Sequence, residues 1–193
     1  MGFTVIPNLV FLVISLLIRE STAGCSFPQH NAENDELEAR IQPLLGKRYT
    51  TTDVSGEYLY VIGICTDAVD VTEFPGTNNQ HIGVLQIQKV DGKPDFQRSH
   101  IIGKYNNAAL SRGTDWILLE YKDGDQYHSH CNIENRRARI MITCDEEVSV
   151  GSETVKMFEE NINKTDDCYY LFEMASSAVC PTKSTHRLLV NTF

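Results

Sequence analysis

The stretch RRARIMITC, Arg136–Cys144, decides what kind of chain this is. Ala138, Ile140, Ile142 and Cys144 fall on one parity, and Arg137, Arg139, Met141 and Thr143 on the other. In an extended strand, residues two apart share a face. The run therefore reads as a strand with an apolar inner face, Arg137 and Arg139 facing water, and Arg136 beginning the inward series. A buried guanidinium is costly unless it is bonded. Either a carboxylate of the protein or a ligand has to satisfy Arg136.

Working outward, EYLYVIGIC, HIGVLQIQKV, DWILLEYK and CYYLFEMAS have the same character: short, and rich in β-branched and aromatic residues. Turn material separates the strands, namely EFPGTNN, VDGKPD, SRGTD and KDGD. This spacing predicts an all-β fold, a sandwich or flattened barrel of antiparallel strands. Parity groups Tyr170 with Cys168, Phe172 and Met174, and Gln86 with Val84, Gln88 and Val90. Both polar residues are thus candidates for tips held against an apolar wall. One helix is expected, in NAENDELEARIQPLL, where Leu37, Ile41, Leu44 and Leu45 recur at helical spacing. Asn34 and Asp35 are its candidate caps, and Pro43 should end or kink it.

The 193 residues carry a net charge of -9 with 41% hydrophobic content. That acidic balance argues against a nucleic-acid partner, so the arginine cluster is local rather than part of a basic surface. At the N-terminus, Leu9–Ile18 is an apolar run of ten residues broken only by Ser15. It is too short to span a bilayer, which takes about 20 residues, and it suits a signal peptide over 1–23, with Ser21 and Ala23 before a cleavage at Gly24. No later stretch reaches about 18 apolar residues, so no membrane span is expected in this chain. Residues 24–181 read as one domain and 182–193 as a tail with little structure.

A secretory start gives the cysteines their meaning. Cys25, Cys65, Cys131, Cys144, Cys168 and Cys180 form an even set, which in an oxidising compartment implies three disulfides. Spacing alone does not choose among the roughly 15 pairings that six cysteines allow. Asn163, in NKT, is a glycosylation acceptor. HSHC, His128–Cys131, could offer zinc two imidazoles and a thiolate, but an oxidised Cys131 and the absence of a second cluster argue against it. No G-x-S-x-G occurs, and the acid pairs Asp123/Asp125 and Glu159–Glu160 read as solvated loop acids, so no catalytic residue is expected. An Arg, a Gln, a Glu and a Tyr converging on one pocket would instead suit the mixed donors and acceptors of a sugar.

The segments GVLQIQK, WILLEYKDGDQYHSHC, RRARIMITC and DCYYLFEMASSAVC carry a resemblance. In this order and cysteine spacing the chain resembles the luminal domains of the cation-dependent mannose 6-phosphate receptors and, more broadly, the mannose 6-phosphate receptor homology lectins, from Cys25 to Pro181. The resemblance implies a flattened β-barrel of two sheets with a short N-terminal helix, and the pairings Cys25–Cys65, Cys131–Cys168 and Cys144–Cys180. It implies a carbohydrate-binding set of Gln86, Arg136, Glu160 and Tyr170, with Glu159 as the alternative acid and Tyr58 near the ligand. The phosphate would lie against His128, Ser129 and His130.

Here the chain departs from the family pattern, whose loop reads Asp-Asn-His with the Asp holding a divalent cation. His128 stands in place of that acid and could offset phosphate charge directly when protonated, so no cofactor is expected. The function implied is recognition of mannose 6-phosphate on N-glycans of lysosomal enzymes for Golgi-to-lysosome sorting. The alternative is a lectin for unphosphorylated high-mannose glycans in quality control or glycan processing. The expected partners are N-glycans of lysosomal hydrolases and a second copy of the chain. The expected location is the lumen of the secretory pathway, from the trans-Golgi network to endosomes and lysosomes, or outside the cell if no anchor exists. Release on acidification would follow from protonation of the site carboxylate or loss of the phosphate's second charge below about pH 6, with His128 opposing it.

Overall fold

A computed structural model describes residues 24–25, 27, 32–70, 72, 80–129, 131–161 and 168–181. The expected signal segment 1–23, His130, Asn163 and the tail 182–193 lie outside them. Among the described residues the chain forms helix α1 (Ala32–Ile41) and strands β1 (Arg48–Thr52), β2 (Tyr58–Gly63), β3 (Ile82–Val90), β4 (Lys93–Arg112), β5 (Trp116–Asp123), β6 (Ala138–Cys144), β7 (Val155–Asn161) and β8 (Tyr169–Ser176). All eight strands join one sheet in the order β1-β2-β3-β4-β5-β6-β8-β7, and β7 returns alongside β1 to nearly close a barrel. The ladder is thus continuous around the fold instead of divided into two hydrogen-bonded sheets.

Every neighbouring pair is antiparallel except β6 and β8, which run parallel. Parallel pairing is slightly weaker per residue, and here it is clamped at both ends. The Cys131–Cys168 bridge joins the segments entering the two strands, and Cys144–Cys180 joins those leaving them. Cys25–Cys65 ties the N-terminal segment to the end of β2. These are the pairings the resemblance implied.

The inward parity of β6 and β8 holds. Ala138, Ile140 and Ile142 pair with Tyr170, Phe172 and Met174, and all six are buried in the main core. Strand β3 is buried on both faces: Val84 belongs to that core, while Ile82, Leu85 and Ile87 form a second cluster with Ala68 and Val69. Leu37, Ile41 and Leu44 bury the apolar stripe of α1 and of the 3-10 turn that follows, where Pro43 ends the α-helix as expected. Asn34 and Asp35 are not caps, because α1 already begins at Ala32. Buried Arg40 docks the helix by donating through Nε to Val179 O at 3.0 Å.

The β3–β4 hairpin turns at Asp91 and Gly92, both with positive φ, as a two-residue hairpin loop requires. Gly83 and Gly103 are needed where they are, since a Cβ at either would stand about 2.5 to 2.6 Å from the side chain of Tyr121. Among the described residues no helix is long and apolar enough to cross a membrane.

Candidate functional site

Three expected residues are buried in one neighbourhood: Gln86 is 5% exposed, Arg136 6% and Tyr170 1%. Gln86 stands opposite Tyr60 in the β2–β3 ladder, and its Nε2 donates to Tyr60 Oη at 3.0 Å. Glu160 stands opposite Tyr170 in the β7–β8 ladder. Glu160 and Arg136 both act on the Tyr170 phenol, the carboxylate raising its pKa and the guanidinium lowering it. Directly paired residues share a face of the sheet, so this register puts Glu160 on the face of Tyr170, whereas Glu159 stands opposite Leu171. Burial, followed by the charge of Glu160, pushes the phenols of Tyr170 and Tyr60 far above their ordinary pKa. Both therefore remain neutral hydroxyl donors across the physiological range.

Arg136 lies just ahead of β6, on a looped segment folded back on itself. The Tyr127 amide donates to Glu134 O at 3.0 Å and the Arg136 amide to Asp125 O at 2.9 Å. Between them Cys131, Asn132 and Ile133 have φ of 57°, 50° and 60°. Left-handed backbone costs an L-residue roughly 1–2 kcal/mol, so this reversal is strained, and the Cys131–Cys168 bridge holds it in place. The reversal brings the guanidinium of Arg136 over the Tyr127 ring at 4.6 Å from its centroid. Tyr127 in turn stacks on Tyr170, with ring centroids 6.5 Å apart and planes 3° from parallel. Arg136 Nη1 donates to Gln126 O at 3.0 Å, whereas its Nε is buried with no hydrogen-bond partner among the described residues. No described carboxylate neutralises Arg136 in a two-pronged ion pair; backbone carbonyls and the Tyr127 ring face take that place.

Around this floor lies a more open rim. Tyr58 is half-buried on the same face of β2 as Tyr60, one pair further along the ladder opposite Gln88. His128 and Ser129 are exposed. A depression of about 340 Å³ beside Arg136, lined by Lys122, Asp123, Glu134, Asn135 and Arg137, lies apart from Gln86, Glu160 and Tyr170. Arg137 and Arg139 sit on the outer face as parity predicted, Arg137 with Glu134 and Arg139 with Glu120 and over the Tyr169 ring. Tyr60, Tyr127 and His100 were missed at the sequence level, and Asp125, read there as a solvated acid, is instead half-buried and held by the Ile101 amide. Tyr60 carried a signal, since it shares parity with Tyr58 in EYLYVIG; the other three lie in a loop or a bulged strand without periodicity.

A divalent cation beside a phosphate needs oxygen ligands. Among the described residues no three His, Cys, Asp or Glu groups converge on a metal-sized site. Asp125, three positions before His128, accepts from the Ile101 amide at 2.8 Å and faces His100. The described groups around Arg136 offer a guanidinium, an amide, two phenols and a carboxylate at close quarters, the mixture that polyol hydroxyls require, with aromatic rings for a C–H face.

The sequence pattern of the mannose-6-phosphate receptor family matches residues 20–192. The human cation-dependent mannose-6-phosphate receptor is 31% identical over 189 residues, covering 93% of this chain and 63% of that protein. The rat (Rattus norvegicus) cation-dependent mannose-6-phosphate receptor is 30% identical over 188 residues, covering 92% and 63%. The chain thus spans less than two thirds of the length of these curated relatives. Domain 11 of the echidna receptor for mannose 6-phosphate and insulin-like growth factor 2, solved by NMR, shares the fold: TM-score 0.51 at 18% identity, covering 74% of this chain and 86% of that one.

Proposed function

The chain belongs to the mannose-6-phosphate receptor family, and on that premise we propose that it is a lectin for terminal mannose 6-phosphate on the N-glycans of lysosomal enzymes. Its relatives are receptors, and it is a binding protein rather than an enzyme. The lectin domain would run over residues 24–181 and work in the lumen of the secretory pathway, where three disulfides persist.

The observation that carries this reading is Arg136: a buried guanidinium whose Nε has no partner among the described residues, set against Tyr170, Tyr127 and Glu160. A buried donor left unmade costs about 1–3 kcal/mol, and a sugar hydroxyl would recover it. Arg136 and Gln86 grip the mannose hydroxyls, including the axial one. Glu160, opposite Tyr170 in the ladder, offers its lone pairs to ligand hydroxyls. Tyr58 edges the ring, and the His128–His130 loop takes the phosphate.

A glycan array read at neutral and acid pH tests this reading. It predicts strong signal on phosphomannosyl glycans and weak signal on the same glycans after phosphatase. Equal binding to both would leave a plain high-mannose lectin.

A further inference from the structure

His100 was singled out by neither motif nor resemblance, yet it stands at the rim of this site. It lies on β4, paired in register with Gln86. Directly paired residues share a face of the sheet, so His100 projects on the side of the sugar-binding cluster. Its Nδ1 is 3.8 Å from the Asp125 carboxylate. Asp125 is fixed by the Ile101 amide at 2.8 Å, and its backbone carbonyl accepts from Arg136. The His100 ring also meets the ring of His128 edge to face, centroids 6.4 Å apart. With Nδ1 turned to the carboxylate, the opposite nitrogen, Nε2, points away from it, on a side chain that is 39% exposed.

We propose that His100 is a further binding residue of the site: with Asp125 orienting its ring, it presents Nε2–H beside His128 to the anionic group of the ligand. This rests on the phosphomannosyl reading above and deepens it, since two imidazoles then supply the positive charge. The charged groups around His100 are Asp125 and His128 from the 124–136 segment, Arg136 behind Asp125, and Arg98 on β4 itself, which is paired with Asp95 at 3.4 Å. Strand β3 contributes the uncharged Gln86. Two neighbouring imidazolium groups repel each other, and an anion held between them relieves that repulsion. An anion held by both imidazolium groups binds together with the protons that charge them.

The experiment is calorimetric titration of the wild-type domain, His100→Ala and His100→Gln with mannose 6-phosphate and with mannose, in EDTA, in two buffers of different ionisation enthalpy. Thermal melts first establish that the variants fold. The expected result near pH 6 is a loss of roughly tenfold in affinity for mannose 6-phosphate in both variants, unchanged affinity for mannose, and reduced proton uptake on binding. Wild-type preference for the phosphorylated sugar with both variants unaffected would overturn the role of His100 alone. A wild type that does not prefer the phosphorylated sugar would overturn both this proposal and the reading beneath it.

Discussion

Arg136 is held by an aromatic face rather than by an acid: its guanidinium lies 4.6 Å from the centre of the Tyr127 ring. Buried guanidinium groups are ordinarily neutralised by a carboxylate in a two-pronged pair. A ring face attracts the cation without occupying its N–H groups, so Arg136 is positioned while part of its donor set stays available. Tyr127→Leu is expected to weaken mannose binding roughly tenfold, and Tyr127→Phe, which keeps the ring, much less. Equilibrium titration of both variants checks this; equal losses would mean that the Tyr127 hydroxyl matters more than the ring.

An unpartnered buried donor is a cost carried by the free protein. Arg136→Met removes both the charge and the orphan Nε while keeping a long apolar stem. It is expected to abolish sugar binding while leaving the melting temperature unchanged or raised. Arg136→Lys, which cannot form the planar fork, should also lose binding by at least about tenfold. A collapse of thermal stability in Arg136→Met would show that the guanidinium serves the fold and not the ligand.

Register sets Glu160, and not Glu159, beside Tyr170. Because Glu160 and not Glu159 stands opposite Tyr170, Glu160→Gln is expected to weaken binding of mannose by about tenfold or more, and Glu159→Gln to leave it nearly intact. The reverse pattern in a side-by-side titration would move the sugar contact to Glu159. Turnover of a glycoside that disappears in Glu160→Gln would contradict the lectin reading altogether.

Much of this site was legible in the sequence because strand parity reports facing. Arg136, Gln86 and Tyr170 each lie in a run whose apolar neighbours fix the inner side. Tyr60 shows the limit of that signal: parity groups it with Tyr58, but only the β2–β3 register, opposite Gln86, makes it the residue that touches the amide. The parallel β6–β8 pairing was not legible, since parity gives a strand's inner side and not its neighbour's direction. Strand β4 was missed because Pro94, Gly103 and its register shifts break the alternation. Tyr127 and Asp125 belong to a loop whose shape comes from a left-handed reversal at Cys131–Ile133, for which no periodicity exists.

The seam of the barrel carries its own titration. Glu153 is buried at 7% exposure between β1 and β8, accepting from Tyr49 Oη at 3.2 Å, Gly151 N at 2.7 Å and Ser176 Oγ at 2.9 Å. Burial acts to raise its pKa, but donation from its own amide and from Gly151, Ser176 and Tyr49 outweighs this and holds the carboxyl below its usual range. A depressed folded pKa stabilises above the unfolded value, near 4.3 for a glutamate, and that contribution fades as pH falls through the folded value. Glu153→Gln should therefore cost about 1–3 kcal/mol at neutral pH, with the gap between wild type and variant narrowing as pH falls below the free glutamate value of about 4.3. Denaturant melts across pH measure this, and a constant gap down to low pH would remove the carboxylate from the account.

The central claim is that this barrel selects a phosphorylated mannose without a metal. Its most direct test is one titration of the purified domain with mannose 6-phosphate and with mannose, near pH 6.5, in EDTA and again with added manganese. The account predicts clear preference for the phosphorylated sugar in EDTA and little further gain with manganese. Equal affinity for the two sugars, or a preference that appears only when manganese is present, would contradict it.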